Sequence, residues 1–195
     1  MAEDHDAYLD QALIGGREPA AITLVDYDQR WPQRFQDTAE RVRQALREQA
    51  LAVEHIGSTA VPWLAAKPIV DVLLTVADVA AEGAYVPCLE SVGFVLRVRE
   101  PKHRMLRTPA RDVHLHVYES DSPEVRDYLD LRDWLRVDAC DRELYGATKR
   151  RLAQKQWDDM NEYADAKTDV IRDVLTRARA WRAATRAPAA NPSAG

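Results

Sequence analysis

The chain has 195 residues, 27 Lys and Arg against 32 Asp and Glu, and a net charge of −5; 46% of it is hydrophobic and 30% charged. That balance excludes wholesale disorder and allows one sizeable core, and the acidic surplus argues against a protein that holds nucleic acid over its whole surface. No apolar run approaches the roughly 20 residues a bilayer crossing needs, the acidic start Met1-Ala2-Glu3-Asp4 does not read as a secretory signal, and Cys88 and Cys140 give neither a disulfide framework nor a metal spacing, so the expected location is the cytoplasm.

Residues 1–20, with Gly15-Gly16 and Pro19, read as a flexible leader carrying one short helical turn around Tyr8–Leu13. Pro32 opens a helix at the position where a missing N–H costs nothing, and Phe35, Ala39, Val42, Ala45 and Leu46 follow at helical spacing through Glu48. Leu51–Ile56 reads as a strand, ended by the turn Gly57-Ser58 and a small-residue stretch to Lys67-Pro68. Ile69–Val76 is almost continuously aliphatic, as in a strand buried on both faces. A helix over Ala81–Val92 stops at Gly93, and Phe94–Arg99, His103–Thr108 and Asp112–Tyr118 are three more strands.

The period then changes. Ser122 caps a helix with Pro123 at its first position and an apolar stripe of Tyr128, Leu131, Trp134 and Leu135. A second helix spans Asp141–Gln156, and a third spans Asp158–Trp181 with Met160, Tyr163, Val170, Val174 and Ala178 on one face. Residues 183–195, rich in Ala and Pro, read as a disordered tail. The expected class is α+β: a mixed sheet with helices, followed by a C-terminal helical layer from about residue 122, all within 21–182.

Chemistry concentrates between His55 and Val72. A Gly-Ser turn after a strand offers backbone N–H groups and a hydroxyl, the groups that hold a phosphate. Asp71 is a lone carboxylate in an apolar strand, costly to bury unless it is paired, hydrogen-bonded or bound to a cation. Strand alternation puts Asp71 and Leu73 on one face of their strand, and Asp112, His114 and His116 on one face of theirs.

The run from His55 to Val72 resembles the GrpB family. Support comes from Tyr27, Trp31, Pro32 and Phe35, from Val113-His114-Leu115-His116-Val117, from Leu131 to Arg136, and from the pairs Tyr145/Lys149 and Tyr163/Lys167. The resemblance covers roughly Val25 to Trp181. It implies the nucleotidyltransferase fold of the DNA polymerase beta type and transfer of a nucleotidyl group from a nucleoside triphosphate to an acceptor left open. It also implies two divalent metals on an Asp-x-Asp/Glu strand and a later acidic residue.

The sequence departs from that pattern. Leu73 stands at the second acidic position, His114 and His116 replace the later acid, and Trp63 stands where the family has Gly. Mg²⁺ or Mn²⁺ is the metal the resemblance implies, whereas imidazole ligands suit Zn²⁺ or Fe²⁺ as well. The expected assignments are Gly57, Ser58, Lys67, Arg132, Lys149 and Lys167 for the triphosphate, Asp71, His114 and His116 for the metal, and Asp71 with His116 for catalysis. Plainer roles stand beside these: Asp71 as a buried pair with Lys67, the histidines as hydrogen-bonded strand residues, and Arg132 on a salt-bridged helix face. A non-catalytic module that binds a nucleotide or phosphorylated metabolite is the alternative that Leu73 favours.

Overall fold

The computed structural model describes residues 12–16, 22–155, 157, 163 and 166–186, and a five-stranded mixed sheet divides them into two sides. The strands are β1 (Ala52–Ile56), β2 (Val70–Val76), β3 (Val95–Glu100), β4 (His103–Arg107) and β5 (Val113–Glu119), in the spatial order β1-β2-β5-β4-β3. β2 and β5 run parallel, and all other neighbours are antiparallel. Every residue of β2 except Asp71 is buried, which the aliphatic run requires of an inner strand.

Among the described residues five helices accompany the sheet: α1 (Trp31–Leu46), α2 (Val86–Ser91), α3 (Pro123–Val137), α4 (Ala139–Ala153) and α5 (Thr168–Arg186). α1 begins with Pro32 in its first turn and buries Trp31, Phe35, Ala39, Val42 and Leu46 on one stripe. With α2 it covers one face, packing on Val70, Val72 and Leu74 of β2 and on Val113, Leu115 and Val117 of β5. The opposite face carries a smaller cluster, in which Ile56, Leu73 and Tyr118 meet Val125 and Tyr128 of α3.

Beyond it α3, α4 and α5 build their own core from Leu135, Tyr145 and Val174, and that core takes in Val61 and Leu64 from the loop after β1. Ion pairs fasten the layer. Arg182 of α5 reaches Asp130 and Asp133 of α3 at 2.8 and 2.7 Å, and Arg177 holds Asp141 of α4 at 2.7 Å. Ser122 and Asp138 cap α3 and α4 through their side chains. This is the α+β sheet with a helical layer expected from the sequence. None of the described helices is long and apolar enough to cross a membrane.

Three boundaries differ from expectation. The helix expected over Ala81–Val92 is a single 3-10 turn, Glu82–Ala84, followed by the short α2. Pro87 explains it: the ring would collide with the carbonyl one turn earlier and has no N–H to give, so a helix can start there but not pass through. Of the long last helix expected over Asp158–Trp181, Ala166 and Lys167 form a turn and α5 runs from Thr168 past Trp181 to Arg186; residues 158–162, Met160 among them, and 187–195 lie outside the described residues. Of the stretch read as a leader, Leu13 forms a bridge with Val98, and Arg97 donates to the carbonyls of Ile14 and Gly16. Those residues cover the otherwise open edge of β3; Tyr8 is outside the described residues.

Candidate functional site

The site-bearing face of the sheet follows from alternation and register. Asp71 lies opposite His114 and Leu73 opposite His116 in the β2–β5 pair, so all four side chains leave on the same face. β1 ends one residue before Gly57, whose φ of +68° is a conformation that glycine adopts without strain. Glycine is needed for space as well. A Cβ there would sit 3.1 Å from Cβ and Cγ of Asp71, and closer still to Oδ2. The turn is folded directly against the carboxylate.

Around Asp71 the charges are unequal. Nδ1 of His114 and Nε2 of His116 both stand 3.7 Å from its Oδ1, too far for a hydrogen bond and close enough for a shared ligand. One donor atom from each of the three residues lies within 4.8 Å of the others, the one such group of three among the described residues. Burial opposes the charge on Asp71, yet the neighbouring His116, His114 and Lys67 hold its carboxyl below the usual carboxylate range. Burial pushes His114 down to about 4, against the pull of Asp71, so its imidazole is neutral at pH 7. A carboxylate and two imidazole nitrogens converging on one point form a donor set that fits a divalent cation.

The helical layer and the loop before β2 supply the cations. Lys149 of α4 is 3% exposed; its Nζ donates to Ser58 Oγ at 2.8 Å and to the Ala65 carbonyl at 2.5 Å, pinning both ends of the loop. It also lies 4.9 Å from the centre of the Tyr145 ring. Lys67 and Lys167 both approach the buried Tyr163 ring, 5.4 and 4.6 Å from its centre. Burial pushes Lys149 down to about 7, helped by Lys167 and Arg150, and pushes Lys167 down to about 8, helped by Lys67. Burial lowers Lys67 too, with Asp71 pulling the other way. Three buried lysines beside one carboxylate, two of them lowered by neighbouring cations as well as by burial, form a cluster whose charged forms an anion would stabilise.

The structure therefore brings Gly57, Ser58, Lys67, Asp71, His114, His116, Lys149 and Lys167 together. It does not bring Arg132 with them. The Arg132 guanidinium is occupied by Glu54 and Asp133, at 2.7 and 2.8 Å, and by the His55 carbonyl. With Arg136 it lines a separate cavity of about 310 Å³ between α1 and α3 at the free edge of β1. Asp112 lies before β5 and is tied to Arg34 and Thr108. His55 is on the other face, stacked on Phe35 with ring centres 4.8 Å apart and bonded to Thr59, and burial pushes it down to about 4. It braces the turn from behind.

One group escaped sequence reasoning. His103 of β4 places Nε2 3.2 Å from His116 Nδ1, and its Nδ1 lies 2.6 Å from Glu100 Oε2. The available signal was the register of the β4–β5 hairpin, which sets Met105 opposite His116 and so puts His103 on the same face. Trp63, noted in the sequence as standing where the family has Gly, has a φ of +63°, the left-handed region where Gly is the ordinary occupant, and is 77% exposed with Arg142 5.7 Å from its ring centre.

Comparison with known proteins places this geometry. The model of the GrpB protein family matches residues 21–177. A UPF0157 protein of Streptomyces coelicolor is 52% identical over 170 residues, 87% of this chain and 91% of that protein. A Mycolicibacterium paratuberculosis protein named dephospho-CoA kinase is 29% identical over 195 residues, which is 85% of this chain but 48% of that protein. Among solved structures, the conserved protein GrpB from Enterococcus faecalis superposes with a TM-score of 0.72 at 32% identity, over 82% of this chain and 99% of that one. The Cid1 poly(U) polymerase with MgGTP bound superposes with a TM-score of 0.51 at 12% identity, over 67% of this chain and 45% of that one, a likeness of fold alone.

Two outcomes follow from the geometry. Gly57→Ala loses about 1–3 kcal/mol of stability in urea denaturation, and the loss shrinks by at least about 0.5 kcal/mol in an Asp71→Ala background, because part of it is collision with the carboxylate; equal losses in both backgrounds contradict the packing described. Calorimetric binding of inorganic triphosphate without metal weakens as pH rises from about 6.5 to 9. The charged lysines hold the anion, and Lys149 and then Lys167 lose their protons through about 7 and about 8. Lys149→Met flattens the lower part of that profile, and an affinity independent of pH contradicts the assignment.

Proposed function

The chain belongs to the GrpB family, and on that footing we propose that it is a metal-dependent nucleotidyltransferase, moving a nucleotidyl group from a nucleoside triphosphate to an unidentified acceptor. One observation carries the reading: the phosphate-type turn and the metal-type cluster are in contact, with Gly57 closed against Asp71 while Lys149 grips Ser58. A triphosphate needs both together, anion contacts for its β and γ groups and a cation beside its α group.

In this reading the Ser58 hydroxyl, the backbone N–H groups of the turn and Lys149, Lys67 and Lys167 hold and orient the triphosphate. Asp71, His114 and His116 hold one divalent ion, which when bound supplies Lewis-acid polarisation of the phosphate under attack. The positive surplus of the lysines balances charge that accumulates on the leaving pyrophosphate. Arg132, being occupied by Glu54 and Asp133, acts on the loop through the His55 carbonyl and is a positioning residue here. The fold shared with Cid1 supports the reading as an analogy of architecture.

A second reading has its own observation. Leu73, at the position of the second acid, is 1% exposed and packed against Ile56, Tyr118 and Val125, so it contributes no ligand. A module that binds a nucleotide or a phosphorylated metabolite without turnover needs no second acid. The alignment with about half of a protein named dephospho-CoA kinase is compatible with that role.

The test is calorimetry of ATP, CTP, GTP and UTP with Mg²⁺, with Mn²⁺ and with chelator, on wild type and Asp71→Asn, paired with a pyrophosphate-release assay. The expected outcome is micromolar binding of one nucleotide, about −8 kcal/mol, that needs the metal and is lost in Asp71→Asn. Pyrophosphate release with an acceptor extract supports the enzyme, and binding with no release supports the second reading. Absence of nucleotide binding across the panel overturns both for nucleotides.

A further inference from the structure

The cluster around Asp71 does not end at its three potential ligands. A chain of hydrogen-bonding groups runs back from it across β5, β4 and the end of β3: Asp71, His116, His103, Glu100. Its links are 3.7 Å from Asp71 Oδ1 to His116 Nε2, 3.2 Å from His116 Nδ1 to His103 Nε2, and 2.6 Å from His103 Nδ1 to Glu100 Oε2. The His103 ring is stacked on Tyr118, with ring centres 4.6 Å apart and planes 13° from parallel, and lies nearly coplanar with His116 at 9°. Tyr128 of α3 stands 6.0 Å from both His116 and Tyr118, closing the pocket around the pair. Nothing in the nucleotide reading uses His103 or Glu100.

For neutral imidazoles, counting donors and acceptors along this chain gives one answer. An ionised carboxylate only accepts, so Glu100 requires the proton of His103 to sit on Nδ1. His103 Nε2 is then a lone pair, and the 3.2 Å contact forms only when His116 Nδ1 carries a proton and donates it. His116 Nε2 is left bare, facing a carboxylate oxygen at 3.7 Å with no hydrogen between them. Two lone pairs pointed at one space repel unless a cation occupies it. A histidine that ligates a metal through one nitrogen and donates its other N–H to a fixed acceptor is the general pattern of supported metal ligands.

We propose, resting on the metal reading above, that His103, backed by Glu100, is a positioning residue that holds His116 in its Nδ1–H tautomer and aims Nε2 into the site, so that the site takes an imidazole-preferring divalent ion such as Zn²⁺ or Co²⁺ in preference to Mg²⁺. Mg²⁺ favours an octahedron of oxygens and keeps its waters, whereas two of the three ligands here are nitrogens, one of them held in a fixed orientation. The Tyr118 stack fixes the plane of the His103 ring, and the coplanarity of the two imidazoles keeps the donated N–H in line with its acceptor.

The experiment has two readouts besides activity. Cys140 is exposed and would compete for thiophilic ions, so both use a Cys140→Ser background. The first is long-range ¹H–¹⁵N correlation of the histidine rings in chelator-treated protein, expected to show His116 as the Nδ1–H tautomer. The second is calorimetric titration with Zn²⁺, Co²⁺ and Mg²⁺ on the parent, His116→Ala, His103→Phe and His103→Gln. His103→Phe keeps the stack on Tyr118 and removes the acceptor; it should weaken Zn²⁺ and Co²⁺ binding about 10–100-fold. His103→Gln returns a carbonyl acceptor and should recover most of that loss.

Zn²⁺ affinity within twofold of the parent in His103→Phe overturns the proposal while leaving the metal site standing, as does Mg²⁺ binding tighter than Zn²⁺ for the preference it states. A parent protein that binds no ion more tightly than His116→Ala overturns the metal reading itself. Even then the tautomer measured on the parent decides the role of His103, and an Nε2–H tautomer of His116 rejects it whether or not any variant folds.

Discussion

An ionised carboxylate near the start of an aliphatic inner strand is the constraint around which this protein is arranged. Asp71 interrupts a strand whose other residues are all buried, and a charge in that place costs several kcal/mol unless its surroundings compensate it. Three features do so. Gly57 yields its side-chain volume to the carboxylate, two imidazoles face it at 3.7 Å, and Lys67, Lys149 and Lys167 lie within electrostatic reach. The compensation overshoots. Lysines outnumber the carboxylate, and burial depresses each of them, an arrangement that suits the proposed ligand, with negative charge at the lysine end and a cation at the histidine end.

The helical layer explains how those lysines reach a site carried by the sheet. Val61 and Leu64 of the loop after β1 are part of the α3–α4–α5 core, so the loop cannot move without that core. α4 delivers Lys149 through the gap, and the turn before α5 delivers Lys167. The Arg177 and Arg182 ion pairs join the three helices, and the buried Asp141 accepts both Arg177 and the Trp134 indole. The strained backbone at Trp63 sits between the two anchored residues of the same loop. A left-handed non-glycine residue persists only where its neighbours over-determine it, which Val61 and Leu64 do here.

Much of this was legible in the residues, for reasons that differ from element to element. β2 and β5 announce themselves because inner strands need unbroken aliphatic runs, and alternation alone then places Asp71, His114 and His116 on one face. The Gly57-Ser58 turn stands out because a positive-φ position needs glycine. Helix ends were harder. Pro87 limits α2 to six residues, a breaker effect that outweighs the apolar spacing of Ala81–Val92. Arg132 and Arg136 share a helix face as read, but nothing local says that Glu54, on a strand 78 residues earlier, takes up the Arg132 guanidinium. His103 was hidden for the same reason: its meaning comes from strand register. Only the pairing of Met105 with His116 shows that a third histidine lies on the site face.

The central claim is that one cation-binding point and one triphosphate cradle share the space beside Asp71. Anomalous diffraction from crystals grown with Mn²⁺ and a non-hydrolysable analogue of whichever nucleotide binds tests it most directly. The expected result is a single anomalous peak bonded to Asp71, His114 and His116, with the phosphates resting on Ser58 and Lys149. A Mn²⁺ peak away from those three residues, or phosphates seated in the cavity beside Arg136 with the Lys149–Ser58 bond intact, would contradict it.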